Sequence, residues 1–430
     1  MINTGDTGKA LKVRFLEGYN GRTALDFLVF LAPHDTWVAA VSAVDPADPA
    51  SGAKLVTNDD SCIDGANKEK PFVTYGFDGQ SPGFPADDGP QEIARVREGS
   101  FEIIALGDVV RSSTTERRIS PSRSASGDYV PPDCEHLDVD AALAGLVAPT
   151  NALMGSTMIV NAGDGIFYSY NASALAGFTD RALTPPEDTL AQANSNASTL
   201  DGAVATVYTN DGTPLPIDYA DGIDAVSAVF MADTVYNEFL TASSMGASTD
   251  WVVTFPTKAF HVDKLLYPAS RTSPFVVPFK DGVSPVTTNF FQTGRESDQQ
   301  TISGCSGGDP NCGIVDDLLR YQVNVVSFLA DPPTGTPSGV LGSRLTANAK
   351  PFRAEGWMQI DLAYGDGGHS LNRGQLPDGS SVYLLGLPAT GFMAYNVINT
   401  QAQPGKLSNY SGTFAHRSQM ACIGNVGPCL

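Results

Sequence analysis

The chain has 430 residues, 42% of them hydrophobic and 17% charged, with a formal net charge of −21 at pH 7. That is enough apolar material for a sizeable core, and the charge speaks against binding to nucleic-acid phosphates, which needs clustered Lys and Arg. Its 43 Gly and 29 Pro favour many short strands and turns over long helices, and no apolar stretch approaches the length of a membrane helix.

The first forty residues read as three strands. In 10–17, Leu11, Val13 and Phe15 alternate with Lys12 and Arg14, the period of a strand with one buried and one wet face. A polar break leads to 24–31, and Pro33-His-Asp interrupts the chain before 36–41, which together predict an antiparallel meander. Residues 45–99 read as an extended excursion holding one short strand at 71–77, and 100–110 returns to a strand. The segment 112–132 is polar and Ser-rich; 138–145 predicts a short helix with acidic residues at its positive end. Residues 156–161 and 165–170 flank Ala162-Gly-Asp164 and predict a hairpin. One long helix is expected over 223–242, stopped by Gly246, on the spacing of Val226, Val229, Phe230, Tyr236 and Leu240. Strands follow at 249–254, 321–328, 356–362, 381–387 and 390–398, separated by polar insertions such as 281–316.

Six cysteines stand at 62, 134, 305, 312, 422 and 429. Cys305 and Cys312, and likewise Cys422 and Cys429, bracket short loops rich in Gly that bring two Cα atoms into disulfide range; elimination pairs Cys62 with Cys134. No CxxC occurs and no His lies near either close pair, so zinc is the poorer reading. The cysteines therefore indicate an oxidised, exported protein.

Chemical signatures are sparse. The histidines His34, His136, His261, His369 and His416 form no HExxH or similar motif. Gly304-Cys-Ser306-Gly-Gly308 reads as a tight turn and no GxSxG elbow or phosphate loop is present. Asp218, Asp221 and Asp224 stand at three-residue intervals ahead of the expected helix, where they could bind Ca²⁺ or where Asp221 or Asp224 could cap the helix. Asp361 and Asp366 make a second candidate. Trp37, Trp251 and Trp357 fall in expected strands and read as core, with stacking on a sugar as the alternative. Asp250 to Lys258 is expected to form a central strand ended by Pro256.

Several segments carry a resemblance: Val13-Arg-Phe-Leu-Glu-Gly18, Leu31-Ala-Pro-His-Asp-Thr-Trp37, Thr57-Asn-Asp-Asp-Ser-Cys62, Asn151-Ala-Leu-Met-Gly155, Asp250-Trp-Val-Val-Thr-Phe-Pro-Thr-Lys258, Gly386-Leu-Pro-Ala-Thr-Gly-Phe392 and Phe414-Ala-His-Arg417. In this order they resemble a family of proteobacterial secreted proteins usually called only "cell surface protein". The resemblance implies location and architecture rather than an activity. It also implies a signal peptide and an aromatic-rich strand ahead of the segment that begins at Ile2, both missing before it here. A sheet edge beside Ala10 to Glu17 would then stand open to strand addition from a second copy, unless a loop or the strand near Ser411 to Phe414 covers it.

The expected fold is mainly β, an antiparallel β-sandwich of jelly-roll or Ig-like type with long loop insertions and one substantial helix. The expected organisation is one β-rich unit over 1–430 with a helical insertion at about 223–244, or else a split near 150 or 247. The function expected is a non-enzymatic, exported cell-surface or extracellular structural protein, in its finer form an assembly subunit of a filament or matrix. Two alternatives stand beside it: a carbohydrate- or ligand-binding module, and a hydrolase whose residues converge only in three dimensions.

Overall fold

In the computed structural model the described residues are 1–65, 67–185, 202–266, 273–294, 312–329, 332–351, 353–364, 368–403 and 406–424. The strands that alternate most clearly in sequence pair as expected. Gly8–Glu17 lies between Thr23–Leu31 and Gly99–Val109, both antiparallel, and Cys62–Ile63 and Leu146–Val147 complete a five-stranded sheet. The expected third strand of the meander leaves this sheet. Pro33 and His34, the latter held at φ 57°, turn the chain away, and Ala40–Ala43 pairs with Ala53–Val56 instead.

The chain is mainly β, with 45% strand and 10% helix, but it is not a single sandwich. Among the described residues the strands form four five-stranded sheets, one three-stranded and four two-stranded ones, in a five-blade, propeller-like arrangement of small sheets. A sandwich buries one contiguous core between two sheets; among the described residues the buried apolar side chains fall into five separate clusters. The sheets draw their strands from distant segments. Ala247–Thr254, for example, sits between Val323–Ser327 and Thr390–Gln403, which in turn pairs with Lys406–Ala415.

The helix expected over 223–242 is the largest local misreading. It stops at Phe230, as Gly222–Phe230, and Thr234–Leu240 is a strand between Glu355–Asp361 and Arg417–Gln419. Val235, Asn237 and Phe239 are buried and Glu238 is exposed, the period of two that a strand requires. The spacing from Val226 to Leu240 fits a helix only because a helical and a strand pattern happen to run on in phase. Elsewhere, 71–77 is not a strand; its neighbour Glu69–Pro71 is. The polar 112–132 contains the helix Thr114–Ile119 and a short hairpin, and 281–316 contains the strand Val286–Gly294 and the start of Cys312–Leu319.

Trp251 is 0% exposed, and its indole N–H donates to the Glu238 carbonyl at 2.9 Å. Phe328 packs against it at 5.5 Å and stacks on Phe239 at 4.8 Å, so this core joins the Ala247–Thr254 sheet to the Thr234–Leu240 sheet. The strand ends at Thr254, ahead of Pro256, as expected. The edge expected to be open beside Ala10 to Glu17 is closed on both sides by its sheet neighbours.

Candidate functional site

The three aspartates expected as a calcium site are separated by the local geometry. Asp221 is the N-cap of Gly222–Phe230, its carboxylate accepting from the Asp224 N–H at 3.1 Å. Asp224 lies one turn into the helix, fully buried, and accepts two hydrogen bonds from Arg373 at 2.5 and 2.7 Å. Asp218 stands on the exposed side of the strand Pro214–Tyr219, where alternate residues point away from the core. Among the described residues no group of three His, Cys, Asp or Glu is placed to hold a metal ion. Asp361 accepts from the Ala363 N–H at 3.0 Å, and burial pushes its carboxyl up; Asp366 lies outside the described residues.

Around the same helix the fold collects a polar cluster that sequence spacing could not show. Ser227, one turn beyond Asp224, bonds Thr257 Oγ1 at 2.8 Å and His261 Nε2 at 3.2 Å. Thr257 and His261 come from the turn after Ala247–Thr254 and the short helix Ala259–Val262. Arg373 reaches in from Ser370–Gln375 and also donates to the Ser273 carbonyl at 2.9 Å. Burial first, and then the Arg373 charge, bring the His261 imidazole down to about 3 against the pull of the Ser273 backbone. A serine beside a neutral histidine has the parts of a nucleophile and its base. Both are enclosed, however, and the carboxylate of the cluster is bound to arginine rather than to the imidazole. As arranged, the group ties helix, turn and strand together.

Lys258 belongs to the same turn and is the residue the sequence reading missed. Its ammonium is buried without a carboxylate partner among the described residues; it donates to the carbonyls of Ser284 at 2.6 Å and Tyr321 at 3.1 Å. It lies over the rings of Phe255 at 5.2 Å and Phe275 at 5.6 Å. Burial brings its pKa down to about 7. A signal was present: this lysine closes the run Trp251 to Phe255 and is followed by Ala259-Phe260, an apolar setting for a charge.

A second buried network contains two arginines and three carboxylates. Arg95 donates to Glu17 at 2.8 Å and to Asp87 at 2.6 and 2.7 Å, while Arg22 donates to Asp263 at 2.5 and 2.9 Å. Asn20 bridges the halves, bonding both Asp87 and Asp263. Glu17 also accepts from the backbone of Tyr19, Asn20 and Arg22, so the turn after the Gly8–Glu17 strand is folded around this carboxylate. Nearby, Lys9 and Asp108 form a buried ion pair joined by Thr7 and Thr150. Burial pushes the Asp108 carboxyl up, but the bonds from Lys9, Thr150 and Thr7 outweigh it and hold it below the usual range.

The remaining histidines are dispersed. His416 Nε2 donates to the Val252 carbonyl at 2.9 Å and its Nδ1 accepts from Asn237 at 3.2 Å; burial brings it down to about 4. His369 bonds the carbonyls of Pro274 and Thr287. His136 pairs with Asp133 on the surface. His34 contacts Asp6 at 2.9 Å at the rim of an open depression with Arg111, Ser112 and Glu116, in which the Glu116 carboxylate caps the Ser112 N–H at 2.5 Å. Trp37 is buried beside Phe27, and Trp357 is half-buried against Phe291.

Cys62 and Cys134 form a disulfide, as their elimination from the short loops requires, across 72 residues of chain. Cys422 is disulfide-bonded; Cys305 and Cys429 lie outside the described residues, as does the Cys312 side chain, so the two short-loop pairings fall there too. Among the described residues no helix is long and apolar enough to cross a membrane. Comparison with known families, curated proteins and solved structures returns no match to this chain.

Proposed function

We propose that this chain is a non-enzymatic, exported structural protein of the cell surface or extracellular matrix, acting as an assembly subunit. The observation that carries the reading is the Cys62–Cys134 disulfide, which ties the edge of the first sheet to a segment 72 residues away. Bonds of this kind persist in oxidising compartments and are rare where thiols are kept reduced. The acidic composition adds support, since a net charge of −21 keeps a protein soluble outside the cell. So does the use made of the titratable groups: Asp224, His261, Arg95 and Glu17, which could carry chemistry in a cleft, are here engaged inside the fold, Asp224 by Arg373, His261 by Ser227, and Arg95 and Glu17 by each other.

Cell fractionation followed by non-reducing peptide mapping tests the proposal. The expected result is the chain in the extracellular or surface fraction with Cys62 joined to Cys134. Recovery from the cytoplasm with both thiols free would overturn it.

A further inference from the structure

The hairpin of Ser156–Asn161 and Ile166–Asn171 packs one face on the core. Ile166 and Tyr168 lie with Phe392 and Ala394, and the Tyr170 and Phe392 rings stack at 4.1 Å. Ser411 donates to the Phe167 carbonyl at 2.6 Å and Thr413 to that of Ser169, so these two carbonyls point away from Ser156–Asn161. That sets the phase of the hairpin. Ile166, Tyr168 and Tyr170 must exchange bonds with their partners Asn161, Ile159 and Thr157, which leaves the N–H and C=O of Ser156, Met158 and Val160 turned outward. Among the described residues no strand pairs with that edge.

This edge lacks the usual protection. It carries no charge, no proline and no bulge. On its outer face Met158 is 57% exposed, Val160 64%, and Phe167, the cross-strand partner of Val160, 56%. We infer that the Ser156–Asn161 edge pairs with the same edge of a second copy, antiparallel and two-fold about Met158.

The register argues for a copy rather than an unrelated strand. Outward groups at three alternate residues place the two-fold axis on the middle one, so Met158 faces Met158 and Ser156 faces Val160, with about six backbone hydrogen bonds formed. The apolar centre then meets an apolar centre, while Ser156 lies opposite Val160 and Asn161 opposite Gly155 of the second copy. Charge agrees: in a chain of −21 the strand itself is neutral, and the carboxylate of the hairpin turn, Asp164, lies beyond its end and is bonded to Asn161 at 2.8 Å. The two turns would sit at opposite ends of the joint. One short strand and three side chains bury less than the ~1,000 Å² of a stable interface, so the pairing is weak and concentration-dependent. Being isologous it closes as a dimer and does not by itself propagate a filament.

The inference rests on reading the chain as an assembly subunit. Sedimentation of the oxidised full chain up to about 1 mM, the range of a weak complex, tests it. The expected result is a weight-average mass rising from 45.2 kDa toward twice that value. Met158→Lys and Met158→Glu should each remain monomeric, because like charges would meet on the axis. Mixed in equal amounts they should associate again. Val160→Pro removes one outward N–H without touching the hairpin's own ladder, and should abolish pairing with an unchanged melting temperature. Wild type that stays monomeric overturns the inference, as do single variants that associate like wild type or a mixture that does not. Association through another surface would leave the assembly reading intact while refuting this edge, and intracellular recovery of reduced chain would refute export while leaving the dimer.

Discussion

Replacing Lys258 by Met should change how stability depends on pH more than it changes stability itself. In an unfolded chain a lysine titrates near 10.5, whereas burial brings Lys258 in the folded protein down to about 7. Between these values the unfolded state binds a proton that the folded state does not, so stability rises with pH at about 1.4 kcal/mol per unit. From about pH 7 to 9.5 this amounts to roughly 3 kcal/mol in wild type. The neutral amine still has two N–H donors, one each for the Ser284 and Tyr321 carbonyls. The Phe255 and Phe275 faces favour the ammonium, by about 2 kcal/mol or more at a desolvated site, but the burial that lowers it prevails. The buried tyrosines Tyr168 and Tyr219, both raised by burial, act only above the tyrosine range and do not enter this window. Lys258→Met loses the titration and leaves two carbonyls unbonded, each costing about 1–3 kcal/mol. It should therefore be clearly less stable than wild type at pH 9.5 and approach it at pH 7. Urea titrations followed by tryptophan fluorescence across that range measure the difference, in which every other titrating group cancels. Parallel curves for the two proteins would refute the buried-amine argument.

Arg95→Met should cost about 3–5 kcal/mol by leaving Glu17 and Asp87 buried without their cation, measured by chemical denaturation. Cys62→Ser with Cys134→Ser frees a 72-residue loop and should lower stability by about 4 kcal/mol, with no change in wild type until a reductant is added. Trp251→Ala, at a fully buried site, should cost about 3–5 kcal/mol; an unchanged melting temperature would contradict its place in the core. Acidification from pH 6.5 toward 4 should destabilise the fold, because His261 and His416 are held neutral at about 3 and 4 while the unfolded chain takes up their protons near 6.5. Calorimetry showing stability flat through that interval would refute it.

Much of the local structure is written in the sequence. The alternation in Leu11, Val13 and Phe15, the turn at Ala162-Gly-Asp164, the short helix after Asp138 and the cap offered by Asp221 each depend on contacts within a few residues, and each appears where the sequence allows it. The cysteine pairing of 62 with 134 was legible for a different reason, since the short loops claimed the others. What the tertiary structure alone decided was which strands meet. Thr234–Leu240 became a strand because Glu355–Asp361 and Arg417–Gln419 lie on either side of it, partners more than a hundred residues away that no local spacing reveals. The same holds for chemistry. By spacing Asp224 reads as a metal ligand or a cap, and only the fold brings Arg373 to it across 149 residues; Lys258 stands at the end of an expected strand, and only the fold encloses it among Phe255, Phe275, Ser284 and Tyr321. Local propensity is a property of neighbours in the chain, whereas desolvation and ion pairing belong to neighbours in space, and in a fold of distant strand pairings the two sets barely overlap.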